Sequence, residues 1–305
     1  MGLLFAFAAS CAAAFSNYFM RKSQDHQGSG STFLTIQLFL SFLVAVLLNP
    51  VRTHFYNWNT CMAVFGFAGG IILGFMMLTL NNALKFGPPG LTFASVNSAC
   101  IMPGILLAIF LGPTFGYHYS FWNGLGSILV LMGLFWAGMS RTEIKKPGMW
   151  LSFVAGAFFL HMTGMTWIEG RAFFIHHPDV IGLLIAFESE DAKNQWFLPM
   201  LFLAAFLVQI VHLLRTEKKR PSQPEVTCGI LGGIANGAAT FFLMLSTEFA
   251  SRRESPMIFP IFAVLVVVFC NLWGQWLYRE NVNWKANILC VIGLFIGTLD
   301  WSQLA

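Results

Sequence analysis

The chain has 305 residues, of which 57% are hydrophobic and only 10% charged, against about 25% charged in a soluble domain. A mean hydropathy of +0.69 leaves too little polar surface to coat a water-soluble particle, and the net charge of +4 forms no basic patch with interleaved aromatics that would suit nucleic acid. The composition therefore predicts an all-α integral membrane protein, because backbone polar groups in hydrocarbon must pair within their own helix.

A crossing helix needs about 20 apolar residues. Ten runs qualify: 2–20, 31–49, 60–83, 89–111, 120–139, 149–168, 196–214, 226–247, 256–277 and 283–300. No basic stretch precedes the first, so it reads as a retained helix rather than a signal peptide, and it carries Ser10, Ser16 and Asn17. The third run ends on Asn81-Asn82-Ala83-Leu84-Lys85. The fourth opens at Pro89, where a first-turn proline sacrifices no hydrogen bond, and holds Ser95, Asn97 and Ser98. A polar linker, 141–148, follows the fifth run. The sixth carries His161, a titratable side chain well inside a span. A long loop is expected over 169–195, holding His176, His177, Asp179, Glu188, Glu190 and Asp191 around an apolar stretch, 180–187, too short to cross. The eighth run holds Asn236 and Thr240, and the ninth opens at Pro256 and holds Asn271 and Gln275.

Residues 61–113 and 228–280 align without a gap at a separation of 167 positions. Gly66 pairs with Gly233, Gly70 with Gly237, Met77 with Met244, Ala83 with Ala250, Lys85 with Arg252 and Pro89 with Pro256. Residues with a backbone or charge role thus fall in register. Gly133-Leu134-Phe135 matches Gly293-Leu294-Phe295 at a shift of 160. The expected organisation is a first five-helix repeat over 1–140, the linker, and a second repeat over 149–305. An odd-numbered unit inserted twice is inverted, and the substrate site of such folds lies between the halves near mid-membrane. Most of the 17 Lys and Arg fall in loops after odd-numbered runs, which puts both termini outside the cytoplasm.

The stretch from Asn81 to Pro89, running into Ala94-Ser95, resembles the "AL...P...AS" junction of the drug/metabolite transporter superfamily. Leu277-Tyr278-Arg279-Glu280, followed by Gly293-Leu294-Phe295-Ile296-Gly297, resembles its "LFxGE … GxxLIxxG" ending. The resemblance covers the whole chain and implies a ten-helix, EamA-like inverted repeat with cytoplasmic termini, opposite to the charge count. The first half departs from it, with Leu111-Gly112-Pro113 where the Glu would sit. The family's small multidrug exporters couple to protons through a mid-membrane Glu in the first segment, and no acidic or basic residue falls near the middle of any run here.

The expected substrate-binding residues are Asn17, Asn81, Asn82, Ser95, Asn97, His161, Asn236, Thr240, Asn271 and Gln275, with Lys85, Glu169 and Arg252 as charges at the cavity mouth. Uncharged amides and hydroxyls beside aromatics such as Trp136, Trp167, Trp273 and Trp276 suit a polar solute of low charge. Plainer roles stand beside each: interhelical hydrogen bonds for the polar set, a packing histidine, interface anchoring for the Trp residues, snorkelling for Lys85 and Arg252. His161 followed eight residues on by Glu169 makes a couple if the helix continues. The six cysteines read as small buried hydrophobes. A single His pair and the absence of a Gly-rich phosphate loop argue against an enzyme, and no cofactor or metal is expected. The expected function is secondary transport of a small polar metabolite (an amino acid or derivative, a nucleotide-type cofactor or a sugar) by alternating access, with a flippase for a lipid-linked intermediate as the alternative. Compact loops point to a bacterial inner membrane, and to a monomer or homodimer.

Overall fold

The computed structural model describes the chain except residues 26–28, 54–57, 88, 113–118, 139–143, 145, 177–195, 217–220, 252–253, 280–282 and 299–305. Among the described residues, every regular element is helical. In chain order these are α1 (Gly2–Asp25), α2 (Gly30–Thr53), α3 (Thr60–Phe86), α4 (Pro89–Asn97), a 3₁₀ turn (Ser98–Ile101), α5 (Met102–Phe110), α6 (Phe121–Gly138), α7 (Pro147–His176), α8 (Phe197–Thr216), α9 (Gln223–Glu248), α10 (Ser255–Tyr278) and α11 (Trp284–Thr298).

Seven of these, α1, α2, α3, α7, α8, α9 and α10, are long and apolar enough to cross a membrane. Three further apolar stretches, Ser95–Phe110, Phe121–Trp136 and Trp284–Gly297, are shorter. The chain is thus a multi-pass helical membrane protein in outline. Large apolar side chains on the outer surface, among them Leu47, Val64, Ile109, Phe110, Phe159 and Phe295, suit contact with lipid.

Two expected boundaries change. The fourth run is not one helix but α4, the 3₁₀ turn and α5. Pro103 has no N–H to give the carbonyl of Ala99, which accepts from Met102 N–H three residues on instead. The loop expected from residue 169 begins later, because α7 continues to His176. No helix breaker precedes Pro178, and Glu169 and Arg171 are buried against protein rather than carried out to water. Residues 177–195, with His177, Asp179, Glu188, Glu190 and Asp191, lie outside the described residues, as does Arg252.

In lipid, helices associate through close packing and polar contacts rather than through the hydrophobic effect. The seams here are built on glycine. A Cβ on Gly66 or Gly70 of α3 would come within 2.2 Å of Phe197 O and 2.1 Å of Leu201 O on α8. Their partners in the second copy, Gly233 and Gly237 of α9, press equally on α2, where a Cβ would meet Leu40 Cβ at 2.5 Å and Val44 Cβ at 2.9 Å. The short helices α6 and α11 meet at Gly126 and Gly293, where each glycine would strike the other's carbonyl oxygen, at 2.5 and 2.8 Å.

Helix ends are fixed by local chemistry. The Asn59 side chain accepts from Met62 N–H at 2.9 Å to start α3. At the start of α9, Glu225 accepts from Ser222 N–H at 2.6 Å and also from Ser29 N–H, tying the α1–α2 connection to this helix. Glu225→Ala should cost about 1–2 kcal/mol of stability, by analogy with lost helix caps, read as a lower unfolding midpoint in detergent. An unchanged midpoint would show that the tie carries no load.

A candidate substrate site at a broken helix

The interruption of the fourth apolar run puts Cys100 in the 3₁₀ turn, facing the middle of α7. There Cys100 Sγ lies 3.0 Å from His161 Nε2, with both residues buried. His161 Nδ1 is buried and makes no hydrogen bond among the described residues. A neutral imidazole has one donor and one acceptor nitrogen. If the thiol donates to Nε2, Nδ1 carries the proton and is a donor; in the other tautomer it is an acceptor. Either way one buried polar atom has no hydrogen-bond partner among the described residues, which costs about 1–3 kcal/mol. A ligand that bonded it would recover part of that cost.

The core around these elements is apolar. Val96, Ala157 and Leu160 belong to one cluster of α3, α4 and α7, while Cys100 itself joins Ile168 and Met165 in the largest one. Ser95 is buried, its carbonyl accepts from Ser98 Oγ at 2.6 Å, and Asn97 is half-buried beside them. Helix α10 packs on the 3₁₀ turn from the other side.

A related contact joins α1 to α10. Asn17 Nδ2 donates to Cys270 Sγ at 3.7 Å, and Ser10 Oγ reaches Phe262 O at 3.3 Å. Trp273 lies against both Phe15 and Tyr18 of α1, with ring centroids 5.1 and 6.4 Å apart. Trp167 stacks on Phe65 at 4.3 Å and donates to its carbonyl at 2.9 Å, so it secures α7 to α3. Trp136 and Trp276 lie on the outer surface.

The remaining expected site residues divide among separate contacts. Asn236 Nδ2 donates to Ser41 Oγ at 3.0 Å, and Ser41 in turn donates to Gly233 O at 2.9 Å, a polar stitch along the α2–α9 seam. Thr240 donates to Asn236 O one turn back, at 3.1 Å. Asn271 donates to Asn287 at 2.9 Å and Gln275 accepts from Trp284 at 3.1 Å, both joining α10 to α11. Asn81 is buried against Gly30 at the start of α2, while Asn82 accepts from the exposed Lys85 at 3.0 Å.

Glu169 is buried near the end of α7, two turns beyond His161. Sequence reasoning missed its neighbour Arg171, a fully buried side chain that forms an ion pair with Glu248 of α9 and lies over the ring of Phe197, 5.5 Å from its centroid. Span counting stops at the first charge, so Arg171 counted as loop. The unbroken helical sequence up to Pro178 was the signal to follow. A helix of 30 residues is about 45 Å long, so α7 extends beyond a hydrocarbon core of about 30 Å and carries these charges near one end.

No family model and no curated protein matches the chain. One protein of known crystal structure superposes on 100% of this chain and 99% of its own length with a TM-score of 0.69, at 13% sequence identity. That likeness is one of fold alone.

Proposed function

We propose that this chain is a secondary transporter of a small polar metabolite, built from ten membrane spans as two inverted five-helix repeats in the manner of the drug/metabolite transporters. The observation that carries the reading is the exchange symmetry of the packing. Numbering the spans in order, α4 to α5 count as the fourth, and α6 to α11 as the fifth to the tenth. Exchanging each span of one half for its counterpart turns the α1–α9 contact into the α7–α3 contact. It turns α2–α9 into α8–α3, and α1–α10 into the packing of α7 on α4 and α5. The α2–α8 and α6–α11 contacts map onto themselves. The glycine seams follow the same exchange, Gly66 and Gly70 with Gly233 and Gly237.

In this reading the cargo meets the His161–Cys100 junction, where α7 of the second half touches the broken fourth span of the first. The one unengaged imidazole nitrogen, in apolar surroundings, suits a solute that presents a single hydrogen-bonding group alongside apolar surface. Amino acid derivatives, nucleotide-type cofactors and sugars are the classes to screen. Alternating access comes from rocking one half against the other in a bacterial inner membrane, without covalent chemistry.

The test is counterflow in proteoliposomes preloaded with unlabelled metabolites. One radiolabelled class should accumulate. His161→Ala should reduce that accumulation at least tenfold, and Cys100→Ala should weaken apparent affinity with less effect on maximal rate. If no soluble solute accumulates, the metabolite reading falls and a lipid-linked cargo takes its place. If transport persists unchanged in His161→Ala, the site is elsewhere.

A further inference from the structure

The register of 167 that relates the two copies puts Asn81 and Glu248 at the same point, in the last turns of α3 and α9. They sit at opposite ends of the bundle. Glu248 lies at the end where α3 and α8 begin and α7 finishes. This is the end marked by the Trp58–Trp196 ring contact and by Gly2 approaching Ser246. Asn81 lies at the other end, beside Gly30 at the start of α2.

The two positions differ in charge. Glu248 pairs with Arg171, whose side chain is fully buried and whose guanidinium covers the face of Phe197. That ion pair joins α7, which packs on α3, α4 and α5, to α9, which packs on α1 and α2. It therefore bridges two packing groups at a point where α7 and α9 otherwise have little contact. At the equivalent position Asn81 carries no charge, so no ion pair can form through it.

We infer that the Arg171–Glu248 pair is a latch holding the two packing groups together at the Cys61 end, and that the Glu248/Asn81 difference sets which end of the bundle is closed. The inference rests on the two-repeat transporter reading, because two inverted halves of identical sequence would favour neither end. An interaction present in only one of two states shifts their populations by its differential energy. A buried charge pair across an interface that must open is such an interaction.

The experiment uses the full chain in sealed vesicles, with Cys11, Cys228, Cys270 and Cys290 replaced by alanine. Cys61, in the first turn of α3, marks the latched end, and Cys100 reports on the middle of the bundle. A membrane-impermeant methanethiosulfonate is applied from one face at a time, and modification is read by peptide mass spectrometry. In the parent protein, Cys100 should be protected from the face that labels Cys61. Glu248→Asn should raise its labelling from that face at least tenfold, and so should Glu248→Gln, which keeps the shape and removes the charge. The Arg171→Glu/Glu248→Arg exchange should restore protection.

Unchanged labelling in both single variants overturns the latch, as does failure of the charge exchange to protect Cys100. Should neither single variant survive extraction, the charge exchange decides alone, with protection supporting the latch and labelling overturning it. Counterflow in the same vesicles separates the two claims. Labelling that moves as expected without accumulation of any soluble solute leaves the latch and removes the metabolite reading. Transport with unmoved labelling does the reverse.

Discussion

Gly70→Ala should cost at least about 3 kcal/mol of stability, the upper range for overpacking a filled interior, and should lower the yield of monodisperse protein. The added Cβ would lie 2.1 Å from the carbonyl oxygen of Leu201 and 2.8 Å from Ala204 Cβ. The first obstacle is backbone, so no rotamer change relieves it, and α3 must separate from α8 along the whole seam. Gly66→Ala should act similarly, since its Cβ would meet Phe197 O at 2.2 Å. Gly170→Ala is the control. It lies within α7 with nothing within 4 Å of its would-be Cβ, and the better helix propensity of alanine should stabilise it by about 0.5–1 kcal/mol. Unfolding followed in detergent distinguishes the two. Equal midpoints for Gly70→Ala and the parent would mean that α3 and α8 do not approach this closely.

The second large effect is expected where charge is buried. Glu248→Ala removes the carboxylate that pairs with the buried guanidinium of Arg171, and breaking such a pair from one side costs about 3–5 kcal/mol. Arg171→Met should cost less, because Glu248 keeps some exposure and can draw on water, although the contact with Phe197 is lost. The double change Arg171→Met/Glu248→Leu should recover much of the loss, because it takes the buried charge away together with the bond. A double-mutant cycle on unfolding in detergent measures this coupling. Single changes that each cost under about 1 kcal/mol would put the pair in the class of water-screened surface bridges, and would remove the basis for a latch.

Several features of the fold can be read directly along the chain. The solvent follows from a shortage of charge. The helical class follows because hydrocarbon offers the backbone no partners. The glycine register is also legible, and at Gly66, Gly70, Gly233 and Gly237 the neighbouring helix comes so near that an added Cβ would not fit. Pro103 was visible in the fourth run, but length alone made that run look like a single span. What breaks it is the loss of one N–H at mid-run, which matters only when hydrogen bonds are counted residue by residue.

The candidate site was legible in part. His161 stood out as a titratable group inside a span, and its surroundings could be described only by helical spacing along its own segment. Its partner, Cys100, comes from 61 positions away and belonged to a set read as inert packing. Asn271 and Gln275 read as cavity lining, and each hydrogen-bonds to α11, an association no pattern along α10 announces.

The solvent, the helical class and the close-packed glycine positions are properties of composition and of single small residues, so they are written locally along the chain. That Cys100 meets His161, that α7 runs past its first charges and that Arg171 is buried on Glu248 became visible only in the packed bundle. Those outcomes depend on partners distant in the chain. A charge inside a helix bundle is tolerable or ruinous according to what faces it, and the facing residue is supplied by packing.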